Sequence, residues 1–267
     1  MAAPEPKRQR THPNYELLYH PTIPGRGEYV RLVFEAAGVP YSDPANEDQN
    51  NGYPKVQAIC DANSTGDEEG NPPAFAPPAL RVPGAGKDGK SLLICQTPNI
   101  VEYIAPKVGL APADEVDRLH ANQLMLTALD MSNEAHDTHH PVAVMLYYED
   151  QKEESSRKAK DFRESRIPKF FSYFERVLKG NKQLGKGKYL IGDKLSYADT
   201  TWWQVVDGLH FAFPKEMEAR KKEFPLLFAT FYPSFKEEKG IKEYLASERR
   251  LKYSMGLYRH YPELDRQ

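Results

Sequence analysis

Only two cysteines, Cys60 and Cys95, occur in the 267 residues, and they form neither a C-x-x-C pair nor a metal-ligand spacing. That scarcity excludes a disulfide scaffold and argues for a reduced, cytoplasmic setting. No apolar run approaches the roughly 18 residues that cross a bilayer. Met1 to Asn14 carries Lys7, Arg8 and Arg10 with no apolar stretch behind them, so residues 1–13 read as a disordered tail rather than a secretory signal. Neither sign of charge prevails. The 36 Lys and Arg against 38 Asp and Glu leave a formal charge of −2, which argues against a nucleic-acid partner. Internal repeats and low-complexity blocks are also missing. What remains is long enough for one large domain or two ordinary ones with a real core.

The first half alternates strand and helix. Tyr15 to Tyr19 is a short apolar run, followed by the turn formers Pro21, Pro24 and Gly25. From Arg26 the period becomes helical, with Val30, Val33, Phe34 and Ala37 on one face and Gly38 as the stop. Tyr41 falls in a second strand, Tyr53 to Ile59 is weakly helical, and Asn63 to Pro73 is a polar loop. Ala79–Val82 and Leu92–Cys95 read as strands joined by the glycine-rich GAGKDGK turn. Thr97 and Pro98 then open a helix, with Thr97 as its N-cap and Pro98 as its first residue. After the LAPAD linker at 110–114 the period is helical throughout, over about 116–138, 155–178 and from Ser196. Ser196-x-x-Asp199 has the form of a capping box.

Two constellations invite stronger readings than they support. Residues 180–186 match most of a phosphate-binding loop, but Gly187 stands where a magnesium-binding hydroxyl belongs, and the segment follows a helix rather than a strand. His136, His139 and His140 have i, i+3, i+4 spacing without an evident distant fourth ligand, so no metal is expected.

In order along the chain, YELLYHPTIPGRGEYVRLVFEAAGVPYSD at 15–43, PPAL at 77–80, Gln96-Thr97 and GDKLSYAD at 192–199 resemble the cytosolic glutathione transferases over about residues 14–250. The match is nearest to their tyrosine-type, sigma-like classes. The resemblance implies an α/β plus all-α fold: a thioredoxin-like glutathione-binding domain at 14–109, then an all-helical domain at 115–267. It implies a transferase that joins glutathione to a small hydrophobic electrophile, acts in detoxification in the cytoplasm, and works as a homodimer without nucleic acid or membrane. A non-catalytic binding protein and a glutathione-dependent isomerase or peroxidase on the same fold are the other readings it leaves open.

The residue roles follow from the same resemblance. Lowering a thiol pKa by about 2 units takes about 2.7 kcal/mol of preference for the anion. Tyr19, at the end of the first strand, is implied as the hydroxyl that supplies it, with Arg26 orienting the loop or that hydroxyl. Tyr53 and Gln57 are implied at the glycyl carboxylate, where Gln57 stands in place of a common Lys. Pro77 and the cis-proline Pro78 are implied at the cysteinyl backbone, although Pro77 has no N–H to offer. Gln96 and Thr97 would receive the γ-glutamyl carboxylate at a helix N-terminus. Asp130 would receive the ammonium from across a dimer interface. Tyr147, Tyr148, Trp202 and Tyr258 are candidates for the electrophile wall.

Overall fold

The computed structural model describes residues 12–267, so the tail expected over 1–13 lies almost wholly outside it. Strand β1 (Tyr15–Leu18) leads through a turn into helix α1 (Gly27–Ala37), which Gly38 ends in the left-handed region at φ 64°. Strand β2 (Tyr41–Ser42), the short helix α2 (Pro44–Glu47) and helix α3 (Gln49–Ile59) follow. Strands β3 (Ala79–Val82) and β4 (Leu92–Cys95) then precede helix α4 (Thr97–Val108). The sheet runs β2-β1-β3-β4: β1 is parallel to β2, antiparallel to β3, and β3 is antiparallel to β4. One face is covered by α1 and α4, whose Val30, Val33, Phe34, Ile100, Val101 and Ile104 are fully buried. The other carries a smaller apolar cluster of Leu18, Val56, Ile59 and Ala79 beneath α3.

The rest of the chain is helical. Helix α5 (Glu115–Asp137) opens at Asp114, whose carboxylate accepts from the N–H groups of Val116 and Asp117. Helices α6 (Lys152–Asp161) and α7 (Ile167–Gln183) run on from one another through wider π-type turns at Phe162–Arg166. The single expected helix is interrupted there because Pro168 has no N–H for the carbonyl one turn back. Helices α8 (Tyr197–Ala212), α9 (Pro214–Arg220), α10 (Tyr232–Lys236) and α11 (Lys239–Leu245) complete the set. The final 22 residues wrap back onto them, with Leu257, Tyr258 and Leu264 buried. Among the described residues no helix is long and apolar enough to cross a membrane.

Helix α1 joins the two parts. Its Glu28 and Arg31 are both fully buried, and Arg31 donates to Glu28 (3.1 Å), to Asp43 (2.8 Å) and to the Pro24 carbonyl (3.0 Å). Glu28 also accepts from Tyr244 of α11 (2.7 Å) and from Arg250 of the tail. These two charges therefore hold α1 to its neighbours, in line with the structural roles their place in the helix suggests.

Candidate functional site

Strand β1 ends one residue before Tyr19, which places that ring under the 20–26 turn. The ring is 5% exposed and packs closely against the turn. A Cβ at Gly25 would sit 2.1 Å from the Tyr19 hydroxyl oxygen, and one at Gly27 would sit 2.7 Å from ring carbons, so both positions demand glycine. The hydroxyl oxygen accepts the Arg26 backbone N–H at 2.8 Å. Burial raises the Tyr19 pKa, while the Arg26 N–H and the Arg26 and Arg31 charges pull the other way. The net effect keeps the phenol protonated at neutral pH. Its lone pair is engaged and its proton is committed to no described group.

Arg26 contributes its backbone to Tyr19 and sends its guanidinium elsewhere, to Asn133 of α5 at 3.0 Å. Three other expected residues come together next to Tyr19. A cavity of about 280 Å³ is lined by Tyr53, Gln57 and Pro77, together with Val56, His20 and Cys60. The Pro77–Pro78 peptide bond at its edge is cis. Sequence patterning did not single out His20 or Cys60. His20 bridges the two halves of the site, its ring 5.3 Å from Tyr19 and 6.1 Å from Tyr53. Burial lowers the His20 pKa and raises that of the Cys60 thiol, so both are neutral groups there. The signal for His20 was its place directly after a strand-end tyrosine.

Helix α4 begins one residue earlier than the Thr97 cap implied. Gln96 is the N-cap, with φ 71° and ψ 119°, a backbone region that side chains seldom occupy. Thr97 is the first helical residue and Pro98 the second, and no side chain caps the end. The Thr97 hydroxyl is buried and has no hydrogen-bond partner, while the Gln96 side chain is exposed. Asp130 is apart from this group, exposed on α5.

Three of the four aromatics proposed for an electrophile wall are core instead. Trp202 is fully buried and stacks on Phe174 at 3.6 Å. Tyr148 is buried and donates to Glu263, and Tyr258 is buried against Tyr29 and Ser132. Only Tyr147 is exposed, at the end of an exposed apolar stretch with Val142, Val144, Met145 and Leu146. Helical spacing cannot distinguish a cleft aromatic from a core one.

Comparison with known proteins identifies the family. Residues 136–248 match the family model "Glutathione S-transferase, C-terminal domain". The chain is 30% identical to glutathione S-transferase A4 of Homo sapiens, covering 79% of each chain. The chain belongs to the glutathione S-transferase superfamily. This membership makes it an enzyme, a glutathione transferase. It is also similar to a glutathione S-transferase of Plasmodium falciparum, at 22% identity over 80% of this chain and 87% of that one. In fold it resembles prostaglandin synthase D of Nilaparvata lugens, with a TM-score of 0.62 at 19% identity, covering 88% of this chain and 98% of that one. The four-stranded mixed sheet followed by helices is thus the thioredoxin-like plus all-helical architecture of the superfamily.

Proposed function

We propose that this glutathione transferase activates the glutathione thiol with Tyr19 and conjugates it to an apolar electrophile. The observation that carries the proposal is the state of the Tyr19 hydroxyl. Its oxygen is held by the Arg26 N–H, its phenol is kept neutral by burial, and its proton is uncommitted. Such a hydroxyl donates a stronger, charge-assisted hydrogen bond to a thiolate than to a neutral thiol, so it favours the thiolate. Accepting the Arg26 N–H polarises the O–H and strengthens the bond it makes.

The residues present fit glutathione. The Thr97 hydroxyl is a buried donor without a partner, beside an uncapped helix N-terminus that attracts a carboxylate. Gln57 and Tyr53 line the cavity next to Pro77 and offer neutral hydrogen bonds for the glycyl end. Pro77 keeps its carbonyl to accept from the cysteinyl N–H. The exposed apolar residues Val142, Val144, Met145, Leu146 and Tyr147 are our candidates for contact with the apolar substrate.

A homodimer is part of this proposal, and an exposed stripe of α5 is its candidate face. Val116, Leu119, Gln123, Leu126 and Asp130 are all exposed and recur at alternating steps of three and four, one continuous helix face. Leu119 is 64% exposed on it, and Phe75, two residues before Pro77, is 94% exposed. Burying these against a second copy would bring Asp130 to the partner's glutathione.

Retention on immobilised glutathione, followed by turnover of a generic aryl halide with glutathione, tests the reading. Retention with turnover is expected. Turnover that survives Tyr19→Phe undiminished would defeat the assignment of thiol activation to Tyr19, and a protein that turns over no apolar electrophile would defeat the substrate half.

A further inference from the structure

The strongest feature that the transferase site does not use is the group of histidines at the end of α5. The helix stops at Asp137. The Thr138 hydroxyl donates to the Ala135 carbonyl at 2.7 Å, and the His139 N–H reaches back to His136 at 3.2 Å. This tight turn, ahead of Pro141, folds three imidazoles into a triangle with ring centroids 5.0, 4.8 and 4.8 Å apart. One ring nitrogen from each lies within 4.8 Å of the other two.

Their tautomers are fixed from outside. Nε2 of His139 lies 3.2 Å from the Leu257 carbonyl, and Nδ1 of His140 lies 2.9 Å from the Leu146 carbonyl. A carbonyl only accepts, so each of these nitrogens carries the proton and the other nitrogen of each ring is a bare lone pair. For His139 that second nitrogen, Nδ1, is buried in a side chain only 1% exposed and has no partner. Nδ1 of His136 lies 3.5 Å from Asp137, which leaves its Nε2 free in the same way. An outer N–H held by a carbonyl or carboxylate, with the inner nitrogen unprotonated, is the arrangement that orients a histidine toward a metal ion. Burial disfavours the charged form of all three rings. Glu134 is not available as a ligand, being held in two hydrogen bonds by Arg166.

We propose that His136, His139 and His140 form a binding site for one divalent cation of the zinc type. Three imidazoles without carboxylate suit zinc, copper, nickel or cobalt, and not magnesium or calcium. They leave a fourth position for water or a substrate atom. Ligation at about 2.0–2.1 Å draws the nitrogens closer than their present spacing, which requires small ring rotations. The positive charges of Arg26 and Arg259 act on these rings, partly offset by Asp137, so the affinity is moderate. The site adjoins the active-site loop, because the Arg26 guanidinium rests on Asn133, one helical turn before His136.

The test uses the untagged full-length protein after treatment with a chelator. Cobalt(II) is titrated and followed by its visible d–d absorption, and zinc is then added in competition. One cobalt per chain with four-coordinate bands, displaced by zinc, is expected. His136→Gln, at a partly exposed position, should weaken cobalt binding by at least about 10-fold without unfolding the protein, as checked by circular dichroism. His120→Gln, at an exposed position on α5, should leave it unchanged. No saturable binding, or equal affinity in wild type and His136→Gln, would overturn the proposal and leave the triad as packing.

Discussion

Two helix N-termini in this molecule solve the same electrostatic problem in opposite ways. At α8 the Asp199 carboxylate accepts from the Ser196 N–H and hydroxyl, each at 2.8 Å, and from the Leu190 N–H at 2.8 Å. The protein supplies its own anion and closes the end. At α4 no side chain caps the helix, Gln96 sits at positive φ, and the Thr97 hydroxyl is buried unpaired. A buried polar group without a partner costs about 1–3 kcal/mol, a cost that a ligand donating or accepting at this helix start would relieve. The closed end is built for stability, and the open end is the one we propose receives a carboxylate from outside.

The sharpest way to break this comparison is to open the closed end. Asp199→Ala strips three buried donors of their acceptor and should destabilise the fold by about 3–5 kcal/mol, measured by urea denaturation. Wild type carries a further signature, because burial pushes the Asp199 pKa up to about 6 in spite of its hydrogen bonds. Between about pH 4 and pH 6 the folded state then binds a proton that the unfolded state has released. Stability therefore falls as pH rises through that window, by roughly 3 kcal/mol in all, and Asp199→Ala lacks that component. An identical pH slope in both proteins would contradict it.

The open end should respond in the opposite sense. Thr97→Ala removes a buried hydroxyl that has no partner, so it should raise stability by about 1 kcal/mol while raising the Michaelis constant for glutathione by roughly 10-fold. A true N-cap would instead lose about 1 kcal/mol of stability, and that result would close the comparison against us. The smallest effect belongs to Asp130, which we propose acts across a dimer interface. Asp130→Asn should weaken glutathione binding several-fold in calorimetry with the dimer intact by light scattering. A fully active monomer would return Asp130 to the role of a surface charge.

Much of the architecture was legible because strand and helix periods are local properties. Ala79–Val82 and Leu92–Cys95 were bounded by their turn residues, and α5 by the linker before it. The capping box at Ser196 was readable for the same reason. The true start of α4 was not, since a positive φ at Gln96 is set by the surrounding fold and leaves no mark in residue type. Nor was the burial of Trp202, Tyr148 and Tyr258, which depends on α7, the tail and Glu263 far along the chain. The histidine spacing was visible, but the tautomers were not: the carbonyl that fixes His139 belongs to Leu257, 118 residues away. Within the site, Tyr53, Gln57 and Pro77 were chosen by resemblance, and it took the fold to add His20 and Cys60 to their cavity.

The account stands on Tyr19 as the group that ionises the substrate thiol. The direct measurement is the ultraviolet thiolate absorbance of bound glutathione, titrated with pH in wild type and in Tyr19→Phe. In wild type the thiol should ionise about 2 units below its free value, and in Tyr19→Phe the midpoint should return by most of that shift, with glutathione affinity nearly unchanged. The same midpoint in both proteins would contradict the claim and place thiol activation on another donor in the 20–26 loop.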